Sequence, residues 1–495
     1  VDQINMMMQQ IQTDSNRVVV AMLPDKEGIS IPSEDQLAQV LEAVDAEDIE
    51  VFVDNVKDEP LIASLPAPGS IVKEAANKLW GTTEWTLSNG VKVIVKSTKF
   101  KEDEIIMSAV ANQGLSRTLG NISPASFLSL DIMSESFGIG SYTDNDLKKY
   151  LAGKQVSLAP SFSMYSRRIS GSTTPRDLSS LLELTYGMFT DFNMEASEFE
   201  AAQAIYSGML KNQQLNPQAV FLKDVYNALF TSPYRQMLTA EDVEAANREE
   251  MLAVMRSQLA NAADYTFTFV GNVDIDSLRP LVEQYIATLP ANAKTATKAV
   301  KKAVAALEPK AGEATDTYTT RMENPQTWVM IYEGGNMKFT SRDAKLASIA
   351  GQILSARLLE SVREKEGAVY SISAQGSLST PEGMNTAIQS AFPMKPEMKE
   401  KVLGMIKAEF TDMETNITDE ELNKVKEFMI KSYTEGKERN GAWLNGITTF
   451  VLDGVDTFNG NIETIKAITP ADVKKFMKTL NGQHNYRVII LDPEQ

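Results

Sequence analysis

The chain has 495 residues, of which 43% are hydrophobic and 23% are charged, a composition typical of a globular rather than a disordered protein. It carries 48 Lys and Arg against 66 Asp and Glu, which gives a formal net charge of −18. Because so acidic a surface repels nucleic acid and anionic membranes, we expect neither as a partner. No apolar run approaches the roughly 18 residues of a membrane-spanning helix.

The chain lacks the residues of a zinc site. It contains a single histidine, His484, and no cysteine. A motif such as HxxEH needs two histidines, and no thiolate is present to replace them. The absence of cysteine also excludes disulfides, but it does not fix the compartment.

The first 75 residues resemble the end of a repeat followed by a connection. The run SNRVVVAMLPDKEG from Ser15 is similar to HNYRVIILDPEQ from His484. A helix-like run, SEDQLAQVLEAVDAEDIE, and the Pro-rich LPAPGS follow it. We therefore predict that residues 1–75 hold the closing strand of a preceding repeat plus a connecting segment, and that Val1 is a cut point.

Residues 76–292 are predicted to form a first α+β unit. The dipeptide Asn89-Gly90 lies between two β-rich arms in TEWTLSNGVKVIVKS, which is a strong hairpin signal because both residues tolerate positive φ. Further on, SPASFLSLDIMSESFG predicts a helix that starts at Ser123. It contains no histidine, and we interpret Asp131 as a solvated helix residue.

Features of this unit recur in the second half of the chain. Four pairs, in the same order, are separated by 221 or 222 residues: Phe189 and Phe410, the capping boxes Ser197–Glu200 and Thr418–Glu421, the helix starts Asn247 and Thr469, and the strand starts Tyr265 and Tyr486. One such coincidence would be weak evidence, since caps and strands are common. Four in order indicate a duplicated unit.

The repeat defines the predicted architecture. We expect an α+β fold with two homologous repeats of about 220 residues, 76–292 and 313–495, each an antiparallel-rich sheet packed with helices. The Ala/Lys-rich stretch at 293–312 has helix-forming residues but little apolar face, so we interpret it as a linker or a surface helix.

A motif in the second unit carries a family resemblance. After an apolar-periodic helix, REKEGAVY places Arg363, Gly367 and Tyr370 in the pattern RxxxGxxY. From the residues alone, Arg363 could equally be a helix C-terminal cap and Tyr370 a half-buried strand residue. The motif and the repeat together resemble the C-terminal half of the pitrilysin/insulinase family of zinc peptidases, the inverzincins.

The resemblance implies a LuxS/metallohydrolase-like architecture and a division of labour. In that family the N-terminal half carries HxxEH and a distal Glu, and the C-terminal half closes over it to form a chamber. Zinc is therefore expected in a half that is missing here, and the helix from Ser123 would occupy a degenerate zinc-helix position. Only Arg363 and Tyr370 carry over, as residues that hold a substrate carbonyl and donate to an oxyanion.

Other candidate sites are weaker. Gly138 and Gly140 do not complete a GxGxxG pattern, so a plain loop is the better interpretation. Asp274 and Asp276 suggest a calcium loop, but Arg279 stands where such a loop needs Gly, which favours a helix cap. His484 is interpreted as a surface turn residue.

The leading hypothesis is a non-catalytic half of a zinc metalloendopeptidase. It would form one wall of a proteolysis chamber, contribute Arg363 and Tyr370 to peptide binding, and bind no metal itself. Its partners would be the N-terminal catalytic half, on the same chain or as a paired subunit, and unfolded peptide. Alone it should be inert.

Two rival hypotheses are kept. The first is a catalytically dead scaffold or binding subunit of the same family. The second is an unrelated hydrolase, for which no nucleophile, base and orienting group can be assembled. The localisation is not fixed by the sequence, although a bacterial periplasm or another extracytoplasmic compartment would suit a cysteine-free peptidase half.

Overall fold

A computed structural model describes residues 2–11, 18–23, 28, 30–48, 57 and 59–494, and the chain divides into two compact units, 1–55 and 56–495. In the first unit, α1 is Asp2–Ile11 and α2 is Glu34–Asp45, which starts at a capping box between Ser33 and Gln36. Residues 18–23 are exposed and have no regular secondary structure. Part of the predicted closing strand, residues 15–17 and 24–27, lies outside the described residues, so that strand stays a prediction.

The second unit contains all the described strands. In chain order they are β1 (Ile71–Asn77), β2 (Thr82–Leu87), β3 (Lys92–Ser97), β4 (Ile105–Asn112), β5 (Gly138–Ile139), β6 (Val156–Phe162), β7 (Ser166–Thr173), β8 (Phe192–Asn193), β9 (Tyr265–Gly271), β10 (Ala314–Thr320), β11 (Thr327–Gly335), β12 (Gln375–Leu378), β13 (Thr386–Met394) and β14 (Tyr486–Pro493).

The helices of this unit alternate with the strands. They are α3 (Pro124–Met133), α4 (Asp144–Tyr150), α5 (Leu178–Asp191), α6 (Ala196–Gln213), α7 (Pro217–Leu229), α8 (Ala240–Ala245), α9 (Arg248–Leu259), α10 (Ile275–Leu281), α11 (Ser341–Leu358), α12 (Lys399–Asp412), α13 (Asp419–Gly436), α14 (Asn440–Asp453), α15 (Asn461–Lys466) and α16 (Pro470–Asn481). No helix of the described residues is long and apolar enough to cross a membrane.

Two large sheets organise the unit. The first has the strand order β1-β2-β3-β9-β4-β7-β6 and the second β10-β14-β11-β13-β12, while β5 and β8 form a small separate ladder. In each large sheet one pair is parallel, β3 with β9 and β10 with β14, and the other neighbours are antiparallel. The predicted fold class, α+β with antiparallel-rich sheets in two similar halves, is confirmed.

The helix caps follow the predicted repeat with one exception. Thr418 and Thr469 form capping boxes, and Asn247 accepts a hydrogen bond from the Glu250 N–H. The box predicted at Ser197 is wrong: α6 starts at Ala196, and its N-cap, Glu195, makes no side-chain capping bond. The helix starts one residue before the hydroxyl, which therefore lies inside the first turn.

Turns that were predicted from single residues are also seen. Gly90, between β2 and β3, has φ of +86°, as the hairpin requires. Asp274 caps α10 by accepting the Ser277 N–H, and His484 lies in an exposed turn with φ of +55°. The stretch 293–312 is not a surface helix: it contains two short 3₁₀ turns and a bridge between Lys302 and Glu382.

Each sheet buries one face against helices of its own repeat. In the first sheet α5 packs on β6 and β7, and in the second α11 packs on β12 and β13. The alternation along the strands decides which side chains are buried: Val329 and Ile331 in β11 are fully buried in the second core. These two cores hold most of the buried apolar side chains.

The opposite face of each sheet is covered by a helix from the other repeat. Phe221 and Val225 of α7, a helix of the first repeat, pack against Ile489 and Leu491 of the second sheet. Conversely, α14 of the second repeat lies on β4 and β9 of the first sheet, where Ile447 joins the cluster around Val270 and Trp80. The two repeats therefore exchange one helix in each direction.

Candidate functional site

The motif predicted from the sequence lies at the end of α11. This helix starts at Thr340, whose hydroxyl accepts the Asp343 N–H at 3.0 Å, and it buries an apolar stripe that includes Ile349 and Ile353. After Leu358 the chain continues in π-helical turns as far as Lys365. Wide turns of this kind are often found at functional sites.

Gly367 ends the helix. Its φ of +58° is a left-handed conformation, and its N–H donates to the Arg363 carbonyl at 3.0 Å. The next N–H, of Ala368, donates to the Val362 carbonyl at 3.2 Å. A residue with a Cβ would be strained at this position, so Gly in the RxxxGxxY pattern has a backbone role.

Arg363 and Tyr370 both lie on the exposed segment around this turn. Tyr370 is 89% exposed, although its neighbours Ala368 and Val369 are buried. Within the described part of the chain, neither the Arg363 guanidinium nor the Tyr370 hydroxyl has a hydrogen bond or an ion pair. The interpretation of Tyr370 as a half-buried strand residue is therefore wrong, because it precedes β12 and contributes nothing to the core.

The backbone that carries Tyr370 is nevertheless fixed on both sides. The Ser390 hydroxyl, in β13, donates to the Ser373 carbonyl at 2.7 Å, and the Lys395 N–H donates to the Ala368 carbonyl at 3.3 Å. Ser390 is only 3% exposed, so this bond is shielded from water. The backbone at Tyr370 is therefore held in place although its side chain is exposed.

Two glycines hold β12 against α11. A Cβ on Gly351 would lie 2.1 Å from the Gly376 nitrogen, and a Cβ on Gly376 would lie 1.8 Å from the Ala347 carbonyl oxygen. The helix and the edge strand therefore touch through backbone atoms, which is possible only without side chains. This close approach sets the position of the segment between them.

Sequence reasoning missed Arg357, which fixes the helix end one turn before the motif. Its guanidinium, with 12% of the side chain exposed, lies 2.7 Å from Glu421, 2.8 Å from Asp412 and 3.3 Å from Glu409. Burial alone would raise the pKa of Glu421, but hydrogen bonds from Arg357 and Thr418 outweigh it and lower that pKa. Glu409 and Asp412 belong to α12 and Glu421 to the start of α13, so Arg357 ties its own helix, α11, to these two helices.

The helix predicted at the zinc-helix position starts as expected. Ser123 is its N-cap and also donates to Glu250 at 2.7 Å, and Asn247 donates its N–H to the Ser126 hydroxyl. Asp131 is exposed. Among the described residues, no group of three or more His, Cys, Asp or Glu side chains is placed to hold a metal ion, so this chain's own residues do not fit a zinc site.

Two features define the class of protein. The molecule has a duplicated α+β fold, and the helix predicted for the zinc-helix position, α3, carries serine hydroxyls and no histidine or cysteine. A family model described as "Peptidase M16 inactive domain" matches residues 245–429. This part of the chain therefore matches the inactive domain of M16 peptidases, which confirms the resemblance predicted from the sequence.

Individual relatives agree with this family. The chain is 22% identical over 362 residues to the "Probable zinc protease PqqL" of Escherichia coli strain K12, covering 71% of this chain and 37% of that protein. It is 20% identical over 463 residues to the "Zinc protease PQQL-like" of Arabidopsis thaliana, covering 89% of this chain and 45% of that protein. The chain thus spans less than half the length of these two curated relatives.

Solved structures show the same fold. The crystal structure of the periplasmic protease PqqL from Escherichia coli superposes with a TM-score of 0.74 at 19% identity, covering 94% of this chain and 51% of that one. A mutant of the ferredoxin protease FusC, in complex with Arabidopsis ferredoxin, gives a TM-score of 0.74 at 16% identity with the same coverage. At such identities the likeness concerns the fold.

Proposed function

We propose that this chain is the substrate-holding half of a zinc metalloendopeptidase, and that Arg363 and Tyr370 contact the bound peptide. One observation carries the proposal. The side chains of Arg363 and Tyr370 have no partners in the described structure, and the backbone segment that carries them is fixed on both sides. Neither side chain stabilises the fold by burial, so a role in the fold does not account for them.

The chemistry of the two groups suits a peptide under attack. A guanidinium offers several charged N–H donors in a planar fork, which can hold a substrate carbonyl oxygen. A phenol can donate to the oxyanion that develops when that carbonyl becomes tetrahedral, an interaction that is stronger in the transition state than in the ground state. Arg363 would thus orient the peptide, and Tyr370 would favour the reaction.

The remaining parts of the enzyme are expected outside this chain. A catalytic half would supply the zinc ion, and this chain would form the facing wall of a chamber around the peptide. A periplasmic location is supported by the E. coli relative, which is a periplasmic protease. An unfolded peptide is the proposed substrate.

The proposal is tested by removing one hydroxyl. Tyr370→Phe in the complete protease should lower kcat by about 10²- to 10³-fold, the usual effect of losing an oxyanion donor, while the melting temperature stays unchanged because the side chain is exposed. Arg363→Ala should lower kcat/KM. Tyr206→Phe is a matched control, since its hydroxyl makes no hydrogen bond in the described structure.

Three results would contradict the proposal. Unchanged turnover in Tyr370→Phe would remove that residue from the reaction. Chelator-sensitive peptide cleavage by the isolated chain, free of trace protease, would show that catalysis does not need a second half. If the complete protein lacked an HxxEH motif, the scaffold hypothesis would replace the peptidase one.

A further inference from the structure

A cleft of 1240 Å³ opens beside α7, and no residue of the Arg363 and Tyr370 segment lines it. Its floor is the outer face of the second sheet. In β13 the side chains of Ile388 and Phe392 are buried in the core, so Ala387, Gln389 and Ala391, at the alternate positions, point to the opposite face and line the cleft. Gln389 and Ala391 are exposed, so α7 leaves this part of the sheet uncovered.

One wall of the cleft is apolar. Leu222 and Tyr226 of α7 are 38% and 37% exposed and line the cleft, whereas Phe221 of the same helix is buried against the sheet. Met330 and Phe339 add further apolar surface. Small side chains on the floor and large ones on the wall leave a trough in which apolar side chains of a ligand can be buried.

The cleft also carries several charged side chains. Four cations and three carboxylates line the cleft: Arg235, Lys301, Lys302, Lys338, Glu308, Glu382 and Asp453. Two of the carboxylates already have partners, because Glu308 accepts the Met384 N–H and Asp453 accepts the Thr380 hydroxyl at 2.5 Å. The three lysines have no ion-pair partner within the described residues.

This charge pattern is unusual for the molecule. The chain as a whole has a net charge of −18, so a surface with more cations than anions and with unpaired lysines stands out locally. Such a surface attracts a ligand that carries carboxylates. The stretch 299–303 supplies two of the lysines, and its backbone is fixed by hydrogen bonds between Ala303 and Glu382 and between Glu382 and Lys301.

The size of the cleft indicates the kind of ligand. Small-molecule sites usually measure about 300–1,000 Å³, and this cleft exceeds that range while it remains open along the sheet. An extended peptide matches an open trough that combines an apolar wall with several cations. The choice of a peptide as the ligand rests on the proposed peptidase role. None of the residues that line the cleft belongs to the RxxxGxxY segment.

We propose that this cleft binds an extended acidic peptide, with apolar side chains against Leu222 and Tyr226 and carboxylates on Lys301, Lys302 and Lys338. The site is separate from Arg363 and Tyr370 in its residues. It gives the chain a preference for acidic stretches of substrate that the motif alone does not provide, and this binding needs no second half.

The purified 495-residue chain tests this directly. Two fluorescent peptides share their apolar residues and differ only in carrying aspartate or lysine, and their anisotropy is followed on titration. The aspartate peptide should bind more tightly. Lys338→Glu should weaken its binding about tenfold, because an attraction becomes a repulsion. Ala391→Trp should weaken it at least as much by filling the floor.

Matched variants separate this site from the motif. Lys475→Glu changes the net charge equally on the exposed face of α16 and should leave binding unchanged. Arg363→Ala and Tyr370→Ala show whether the same peptide also contacts the motif. Each variant is first shown to melt like the parent chain. If Ala391→Trp does not fold, Lys301→Glu and Lys338→Glu decide the question.

Three outcomes would overturn the inference. The two peptides could bind equally well, or the cleft variants could bind like the parent. Loss of binding in Arg363→Ala or Tyr370→Ala alone would place the peptide on the motif, which leaves the proposed function intact. Concentration-dependent dimerisation that Ala391→Trp abolishes would show that a second copy occupies the cleft.

Discussion

Replacing Glu333 by glutamine should stabilise the protein, and increasingly so as the pH rises. Glu333 lies in β11 with 3% exposure, and its Oε1 has no hydrogen-bond partner among the described residues. Burial, followed by the nearby charge of Glu313, raises the pKa of Glu333 from 4.5 to about 8, although Lys407 and a backbone hydrogen bond from Asn485 act in the opposite direction. At neutral pH this carboxyl is therefore largely protonated in the folded chain.

The sign of the effect follows from proton binding. Between pH 4.5 and about 8 the folded state holds a proton on Glu333 that the unfolded state has released, so the free energy of unfolding falls as the pH rises through this window. A raised pKa of this size corresponds to at most about 5 kcal/mol above pH 8. Glutamine is neutral throughout and avoids that cost.

Scanning calorimetry at pH 5 and pH 8.5 measures the difference. Glu333→Gln should melt close to the parent at the lower pH and up to about 5 °C higher at the upper pH, given about 1 °C per kcal/mol for the large unit formed by residues 56–495. Glu427→Gln, on the exposed face of α13, is the control and should show no such dependence. An equal shift at both pH values would refute the reasoning.

Three further substitutions probe the fold. Arg167→Met should destabilise the protein by about 3–5 kcal/mol in denaturant titration, because it leaves Asp264, 2.8 Å from the guanidinium, unpaired in the interior. Gly351→Ala should push β12 away from α11, since the new Cβ would lie 2.1 Å from the Gly376 nitrogen, and faster hydrogen exchange in β12 would reveal it. Phe221→Ala should cost about 3–5 kcal/mol by opening a cavity between α7 and the second sheet, measured as a lower melting temperature.

Each of these substitutions has a control nearby. Arg176→Ala removes an arginine that is 70% exposed and should change the stability very little. Gly404→Ala, in α12, adds a Cβ that meets no atom and should be neutral or slightly stabilising. Leu222→Ala, on the exposed side of α7, should cost much less than Phe221→Ala. Comparable losses in a variant and its control would contradict the assigned cause.

The repeat could be predicted from the sequence because its signals are local. A capping box such as Thr469 with Asp472 spans four residues, and a strand such as the one from Tyr486 is marked by its own composition. The helix exchange could not be predicted in this way. Apolar spacing shows that Phe221 is buried, but it does not show that the surface covering it belongs to the other repeat.

The same limit applies to the candidate site. Arg363 and Tyr370 are found by a pattern within eight residues, whereas the acidic partners of Arg357 lie 52 to 64 residues further along the chain. The exposure of Tyr370 depends on how the chain leaves α11, which the sequence does not determine. The cleft could not be predicted from the sequence, because its floor, its apolar wall and its lysines come from separate stretches of the chain.

Because α7 and α14 each pack on the sheet of the other repeat, the two repeats should stay together without the covalent connection at 293–312. If a protease cut this stretch, each fragment would still hold the other by the helix lying on its sheet. Separately expressed fragments should then reassemble, as in split-protein complementation, whereas either fragment alone would expose one bare sheet face and one unpacked apolar helix. The duplicated half is therefore one folding unit made of two interlocked pieces.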